Sequence, residues 1–395
     1  MPVSLTEPWS KKHKAVTKHG SMPFNLSNSF AQPTTHPELV AWTKARGDDA
    51  LLEEFATHDL GYTANGGSRD LREAIADLYG ERIGADNVVV FAGAQAAVAA
   101  AALALVGAGD HAIVFTPGYQ SVLEAPVHAG GSVTRVPLSA ANDWAVDASA
   151  FEAAMTPRTK YAVLNQPYNP AGRVMAPAQF SALIAVAERR GVYVLCDEVY
   201  RLLEHDGTAR LPAMADAYAR GLSAVTLSKP WGAGGCSVGW LAFPDASLRQ
   251  RLLDVQYFGT ACIGRATELQ ALMVLRASDA ILARNLAIIQ TNLGKVDAFL
   301  AKHADLFCWS ARPNAGAIGS VRFKGPLSTL ELGDALAAAG ISVKPAYCFT
   351  DEPITDANDY FRIGFGEAKM PAALAALDAF VDANRAAWAA AAAAP

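Results

Sequence analysis

The sequence predicts an α/β protein: a large unit with a mostly parallel sheet flanked by helices, joined to a smaller α+β unit. Strand-length apolar runs recur between helical stretches as far as about residue 245, at VVVF (88–91), AIVF (112–115), YAVL (161–164), VYVLC (192–196) and SAVTL (223–227). These runs are apolar throughout rather than alternating, as expected of strands covered on both faces. Beyond residue 245 the strands thin out. A long helical stretch covers roughly 264–303, and a second αβ mixture (SVRF, LELGDALAAAG, ISVKP, YFRIGFG) fills about 304–390.

Composition fits this reading. The chain has 395 residues, 52% hydrophobic and 18% charged, enough to bury a large core and far from a disordered composition. Its 33 basic and 38 acidic residues give a net charge of −5, so no basic excess is available to neutralise nucleic-acid phosphates. Five scattered cysteines (Cys196, Cys236, Cys262, Cys308, Cys348) form no C-x-x-C pair, and no H-E-x-x-H is present. Neither a disulfide framework nor a metal site is expected, and a reducing cytoplasm fits best. The first twenty residues lack the apolar core of a signal peptide. Residues 88–109 carry no charge, but a β-branched run, a small-residue turn and an alanine-rich stretch read as a buried strand–turn–helix, not a membrane span.

In chain order, residues 1–40, with Pro2, Pro8, Pro23, Pro33 and Pro37, read as an irregular extended arm belonging to the smaller unit. Ser68 then precedes RDLREAIADLYG, an amphipathic helix with Ser68 as N-cap and Gly80 as its stop. PAQFSALIAVAERRG (177–191) has Pro at its start, arginines in its last turn and Gly after it, the expected helix polarity. The expected division is an arm over 1–40, a large cofactor-binding unit over 41–285 and a small C-terminal unit over 286–395, ending in a low-complexity alanine tail.

Ligands of an open parallel sheet bind beyond the carboxyl ends of its strands. Behind VVVF stands Ala92-Gly93-Ala94-Gln95, opening a helix, and behind AIVF stands Thr116-Pro117-Gly118-Tyr119. NQPYNPAG (165–172) follows YAVL, DEVY (197–200) closes VYVLC, and Ser228-Lys229 closes SAVTL. Taken singly, Lys229 is a solvated loop lysine, Asp197 a helix cap and Asn169 a turn former. Together they supply an amine for a Schiff base, a carboxylate for a pyridine nitrogen, donors for a phenolate, a helix N-terminus for a phosphate and an aromatic to stack, as pyridoxal phosphate requires.

With these motifs in this order, the sequence resembles the class I/II aminotransferases of the fold-type I pyridoxal-phosphate enzymes, from about Tyr62 to Arg362. The resemblance implies pyridoxal 5'-phosphate as cofactor, amino-acid and 2-oxo-acid substrates, and a homodimer. It makes Lys229 the Schiff-base lysine, with Thr226 and Ser228 near the phosphate. Asp197 takes the pyridinium nitrogen, while Asn169 and Tyr200 take the phenolate oxygen. Tyr119 stacks on the ring, and Gly93, Ala94 and Gln95 form the phosphate-binding helix start. Tyr62 reaches the neighbouring subunit's phosphate, and Arg362, in YFRIGFG, grips the substrate α-carboxylate as a planar guanidinium can. Side-chain selectivity is expected from the arm, the partner and the loops around Tyr168, Trp231 and Tyr347.

One departure from the family pattern matters. Ser237 stands where the phosphate-binding arginine is usual, so weaker cofactor retention is expected. A specialised lyase, cyclase or oxidase acting on an amino acid through the same site therefore stands as the alternative activity. Gly235-Cys236-Ser237-Val238-Gly239 also fits G-x-S-x-G, but a Gly-rich loop precedes this serine and an apolar run follows it, the reverse of a hydrolase elbow.

Overall fold

The computed structural model describes residues 6–207 and 210–393; Pro2 of the arm and the last two residues of the alanine tail lie outside them. Twelve strands occur among the described residues: β1 (Phe24–Asn25), β2 (Val88–Phe91), β3 (His111–Thr116), β4 (Ser132–Pro137), β5 (Thr159–Asn165), β6 (Tyr193–Asp197), β7 (Gly221–Thr226), β8 (Gly239–Ala242), β9 (Phe307–Trp309), β10 (Ile318–Phe323), β11 (Ile341–Ser342) and β12 (Phe361–Gly364). All five apolar runs are strands. β4 escapes the apolar-run criterion because it lies at the sheet edge, where most of its residues are at least partly exposed.

Seven strands form one sheet in the order β2-β8-β7-β6-β5-β3-β4. β3, β4, β5, β6 and β7 pair in parallel, and β8 is antiparallel to both its neighbours, so the sheet is mostly parallel. Every residue of β2, β3, β7 and β8 is buried. Helices cover both faces. Ala94–Leu105 packs on one side with Val89, Val114 and Leu195, while Pro177–Arg190 packs on the other with Ile113, Ala162 and Val194. A fully buried Val or Leu contributes roughly 1.5–3 kcal/mol, which is why continuous apolar strands settle here.

The pairing register brings the chemistry to one edge. Asn165 is level with Asp197, Asp197 with Ala224, and Thr226 and Phe91 both with Gly239. The carboxyl ends of β2, β3, β5, β6 and β7 therefore face the same way.

β10 lies between β9 and β12 in an antiparallel sheet, and β1 pairs in parallel with β11. These strands share a core with helix Met370–Ala393, through Phe307, Phe361, Leu377 and Trp388 among others. The long helical stretch is two helices, Arg265–Arg276 and Ser278–Lys302, parted at Ala277. The second begins in the large-sheet core at Ile281 and ends in the small-sheet core at Ile289, Leu293 and Val296.

The arm is not irregular throughout, and this corrects the sequence reading. Lys11–Val16 is a helix, tied down by Trp9 donating its backbone N–H to Gln120 Oε1 (2.7 Å) and by the Lys12–Asp334 ion pair. A second helix, His36–Ala45, starts inside the arm. Thr35 and Glu38 form a capping box, and Pro37 sits in the first turn, where a missing N–H costs nothing. Helix Arg69–Ala76 lies where expected, but the Ser68 side chain does not cap it; its hydroxyl accepts from Arg265 instead. Nor does Gly80 end it. The helix closes at Asp77, and the Gly80 N–H donates to Asp216. Helix Pro177–Arg190 closes at Gly191 as expected.

No described helix is long and apolar enough to cross a membrane, and all five cysteines are unpaired.

Candidate functional site

A cavity of about 550 Å³ opens at the carboxyl edge of the large sheet, within the size range of small-molecule sites. It is lined by Gly93, Ala94, Gln95, Tyr119, Asn169, Asp197, Tyr200, Thr226, Ser228, Lys229 and Arg362. The structure therefore brings together every site residue expected from the sequence except Tyr62. That residue is 96% exposed.

One end of the cavity is formed by a helix start. Gly93 precedes helix Ala94–Leu105 with φ +90°, a conformation that favours glycine, and the first N–H groups of a helix have no partner within it. β8 crosses so close that a Cβ on Gly239 would stand 2.4 Å from Ala94 N. Only glycine permits that approach. Ser228 and Ser237 also line the cavity, and Ser237 Oγ lies 3.9 Å from where a Gly93 Cβ would be. Ser237 sits in the left-handed region (φ 50°) after a short helical turn and two residues before β8, so no strand-to-helix elbow exists there and the G-x-S-x-G match carries no hydrolase geometry. The Thr226 hydroxyl donates to Val238 O (2.9 Å), which leaves Ser228 as the freer hydroxyl.

At the centre, Asp197 ends β6 and Lys229 lies three residues beyond the end of β7. Burial pushes the Asp197 carboxyl up to about 6, against the Val199 N–H and Lys229, which pull it down. Burial, then the neighbouring Arg362 charge, lowers Lys229 to about 8. Its Nζ donates to Ser29 Oγ at 2.9 Å. Tyr119 is held by Gln95 Nε2 donating to its hydroxyl (2.6 Å), and burial raises the phenols of both Tyr119 and Tyr200.

The far wall carries Arg362, which is buried on β12. Its guanidinium donates to Asn169 Oδ1 (3.0 Å) and to Ser27 O (2.7 Å), while its buried Nε has no partner. Donors remain for a carboxylate, and Asn169 keeps its amide nitrogen to donate elsewhere.

The arm, expected to contribute to side-chain selectivity, lines the cavity with His13, Lys14, Thr17, Gly20 and Ser27–Phe30, although sequence reasoning gave none of these residues a role of its own; it also missed Lys344, from the chain just past β11. The arm passes through the site by backbone bonds, Ala31 N to Lys229 O (3.1 Å) and Gly364 N to Leu26 O (2.7 Å). The only sequence signal for Lys344 was a cation inside the apolar run ISVKP. By contrast, Tyr168, Trp231 and Tyr347 do not line the cavity. Tyr168 is buried with its hydroxyl on Pro117 O, and Trp231 packs on Trp240 and donates to Ser278 (2.8 Å). The expectation concerned the loops around them, and those loops do reach the cavity through Asn169 and Lys229.

The arrangement fits pyridoxal phosphate: an uncapped helix start, a buried carboxylate, an amine of lowered basicity and a guanidinium with an orphaned nitrogen. A family model described as aminotransferase class I and II matches residues 25–377. The chain is 34% identical over 205 residues to arginine–pyruvate transaminase AruH of Pseudomonas aeruginosa, a match covering 50% of this chain and 51% of that one. It is 28% identical over 290 residues to aspartate aminotransferase of Thermotoga maritima, covering 72% and 74%. In fold it superposes on a pyridoxal-phosphate-dependent aminotransferase from Streptococcus suis with a TM-score of 0.87 at 23% identity, covering 96% of this chain and 98% of that one. The corresponding values for the pyridoxal-phosphate-dependent cyclase OrfR are 0.84, 24%, 97% and 99%.

Proposed function

The chain belongs to the class I and II aminotransferases, and from that premise we propose that it is a pyridoxal-phosphate-dependent aminotransferase moving an amino group between an L-amino acid and a 2-oxo acid. The observation that carries this is the meeting of Lys229, Asp197 and Arg362 in one cavity, with a lysine amine brought down to about 8. When bound, the cofactor supplies an electron sink for a carbanion at the substrate Cα.

The chain's own residues supply the rest. Arg362 holds the substrate carboxylate and so fixes which bond at Cα faces Lys229. The Lys229 amine takes and returns the Cα proton, for which basicity near the working pH is suited. Asp197 would offer a buried negative charge to a protonated ring nitrogen. The amide nitrogen of Asn169 and the Tyr200 hydroxyl would hold the phenolate oxygen, Tyr119 would cover the ring, and Gly93, Ala94, Gln95, Thr226 and Ser228 would hold the phosphate.

The same proposal includes a cytoplasmic homodimer divided at 1–40, 41–285 and 286–395. Leu60, Tyr62, Tyr257 and Phe258 are exposed, and the two segments that carry them meet where Thr63 donates to Ile263 O. Such an apolar patch suits a second copy, and Tyr62 is the residue expected to cross to its phosphate. The change of core along helix Ser278–Lys302 supports the boundary near 285.

Ser237 favours a second reading, an acceptor-independent lyase, cyclase or oxidase on the same site. The test supplies an amino acid with and without a 2-oxo acid while ammonia and oxygen are followed. Strict dependence on the acceptor is expected, and sustained turnover without it would reject the transferase.

A further inference from the structure

Once the proposed roles are filled, two cations in the cavity are left over, and one of them is sheltered from solvent. Among the described residues that line the cavity, Asp197 is the only carboxylate, against Lys14, Lys229, Lys344 and Arg362. With Lys229 given to the cofactor and Arg362 to the α-carboxylate, the two remaining are the exposed Lys14 and the sheltered Lys344. The backbone of Lys344 is locked to that of Arg362, by Lys344 N to Arg362 O (2.9 Å) and Arg362 N to Lys344 O (2.7 Å). Its Nζ stands 5.2 Å from the Phe349 ring and 5.8 Å from the Tyr119 ring. The Arg362 guanidinium carbon lies 5.3 Å from that same Phe349 ring. Among the described residues no carboxylate forms an ion pair with Lys344. Two cations thus flank one aromatic ring, and both line the space a substrate would enter.

We propose that Lys344 is a specificity-determining residue that binds an acidic group at the far end of the substrate side chain, selecting dicarboxylic amino acids and dicarboxylic 2-oxo acids. This rests on the transferase reading for its substrates but not for its binding site. A cationic side chain would meet Lys344 and find no carboxylate except Asp197, which the cofactor engages. A neutral one would leave Lys344 without a counter-ion. An acidic one supplies that counter-ion. Burial, then the Arg362 charge, lowers Lys344 to about 7, and a carboxylate placed at its Nζ would favour the charged form again. The rings of Tyr119 and Phe349 steer the ammonium without neutralising it.

The test measures binding, so it does not depend on turnover. Calorimetry on the cofactor-loaded enzyme compares succinate and glutarate with butanoate, in the wild type, Lys344→Met and Lys344→Arg. The wild type is expected to bind one of the diacids about ten- to hundredfold more tightly than the monoacid, the range of a charge-assisted hydrogen bond. Lys344→Met is expected to reduce that ratio to below about threefold while keeping the absorbance band of the bound cofactor, and Lys344→Arg to restore most of it. A wild-type ratio near one would overturn the proposal, as would a ratio that survives in Lys344→Met. Loss of the cofactor band in Lys344→Met with the diacid ratio intact would also overturn it, because Lys344 would then serve the phosphate. If the ratio behaves as expected but no amino acid donates its amino group, the binding site stands and the transferase reading falls.

Discussion

On the sheet side of the crevice, Asn169, Asp197, Thr226 and Lys229 each lie at or within a few residues of the end of a buried parallel strand. On the opposite wall, Ser29, Lys344 and Arg362 come from the arm and the C-terminal unit, and the bond from Arg362 to Ser27 O joins residues 335 apart in sequence. The sheet side is rigid by construction, since each residue inherits its place from the strand before it. The facing wall depends on the arm staying docked. The contrast suggests a division of labour in which the sheet side holds the cofactor and the wall reads the amino acid.

Variants can break that division. The largest effect is expected for Lys229→Ala, which removes both the amine that joins the cofactor and the proton carrier. Turnover should fall by at least about a thousandfold, within the range general acid–base groups supply, and full activity in this variant would overturn the assignment. Arg362→Met should leave the cofactor band in place while weakening amino-acid binding about ten- to hundredfold, the worth of a charge-assisted hydrogen bond. A lost band would show that the wall also holds the cofactor.

Asp197→Asn separates chemistry from stability. Burial lifts the folded carboxyl from 3.8 to about 6. Between those values the folded chain holds a proton that the unfolded chain has released, so stability falls as pH rises from about 4 to about 6, and the loss is fully present above that. Two pH units correspond to about 3 kcal/mol, with the attraction to Lys229 already included. Cofactor-free Asp197→Asn is therefore expected to be about 2–3 kcal/mol more stable than wild type at pH 7.5, with the gap closing near pH 4 in denaturant titrations. The loaded variant should turn over about a hundredfold more slowly.

The smallest effect concerns Ser237. A helix N-terminus stabilises an anion by about 0.3–1 kcal/mol when exposed and up to about 2 when partly buried, whereas a charged hydrogen bond adds roughly 1.5–3. Ser237→Arg is expected to tighten cofactor binding about tenfold, read by dialysis and reloading. Unchanged retention would mean that the helix start already suffices.

The same contrast explains what the sequence could disclose. Lys229, Asp197 and Asn169 follow apolar strands directly, so recognising the strand locates the residue. Arg362 was legible only through its motif, because β12 on its own is just a short strand of the smaller unit. Lys344, Ser29 and His13 owe their places to the parallel pairing of β1 with β11 and to the docking of helix Lys11–Val16, which no local pattern encodes. The prolines of the arm misled for a related reason, since Pro37 is compatible with a helix start once Thr35 and Glu38 cap it. Tyr62 was legible only through its motif, and it lies outside the crevice of the single chain.

The most direct test is chemical. Enzyme loaded with pyridoxal phosphate is reduced with borohydride, digested and mapped by mass spectrometry. A pyridoxyl group on the peptide carrying Lys229, at one equivalent per chain, is the expected result. A label on Lys344 or Lys14 with Lys229 unmodified, or no label at all, would contradict it.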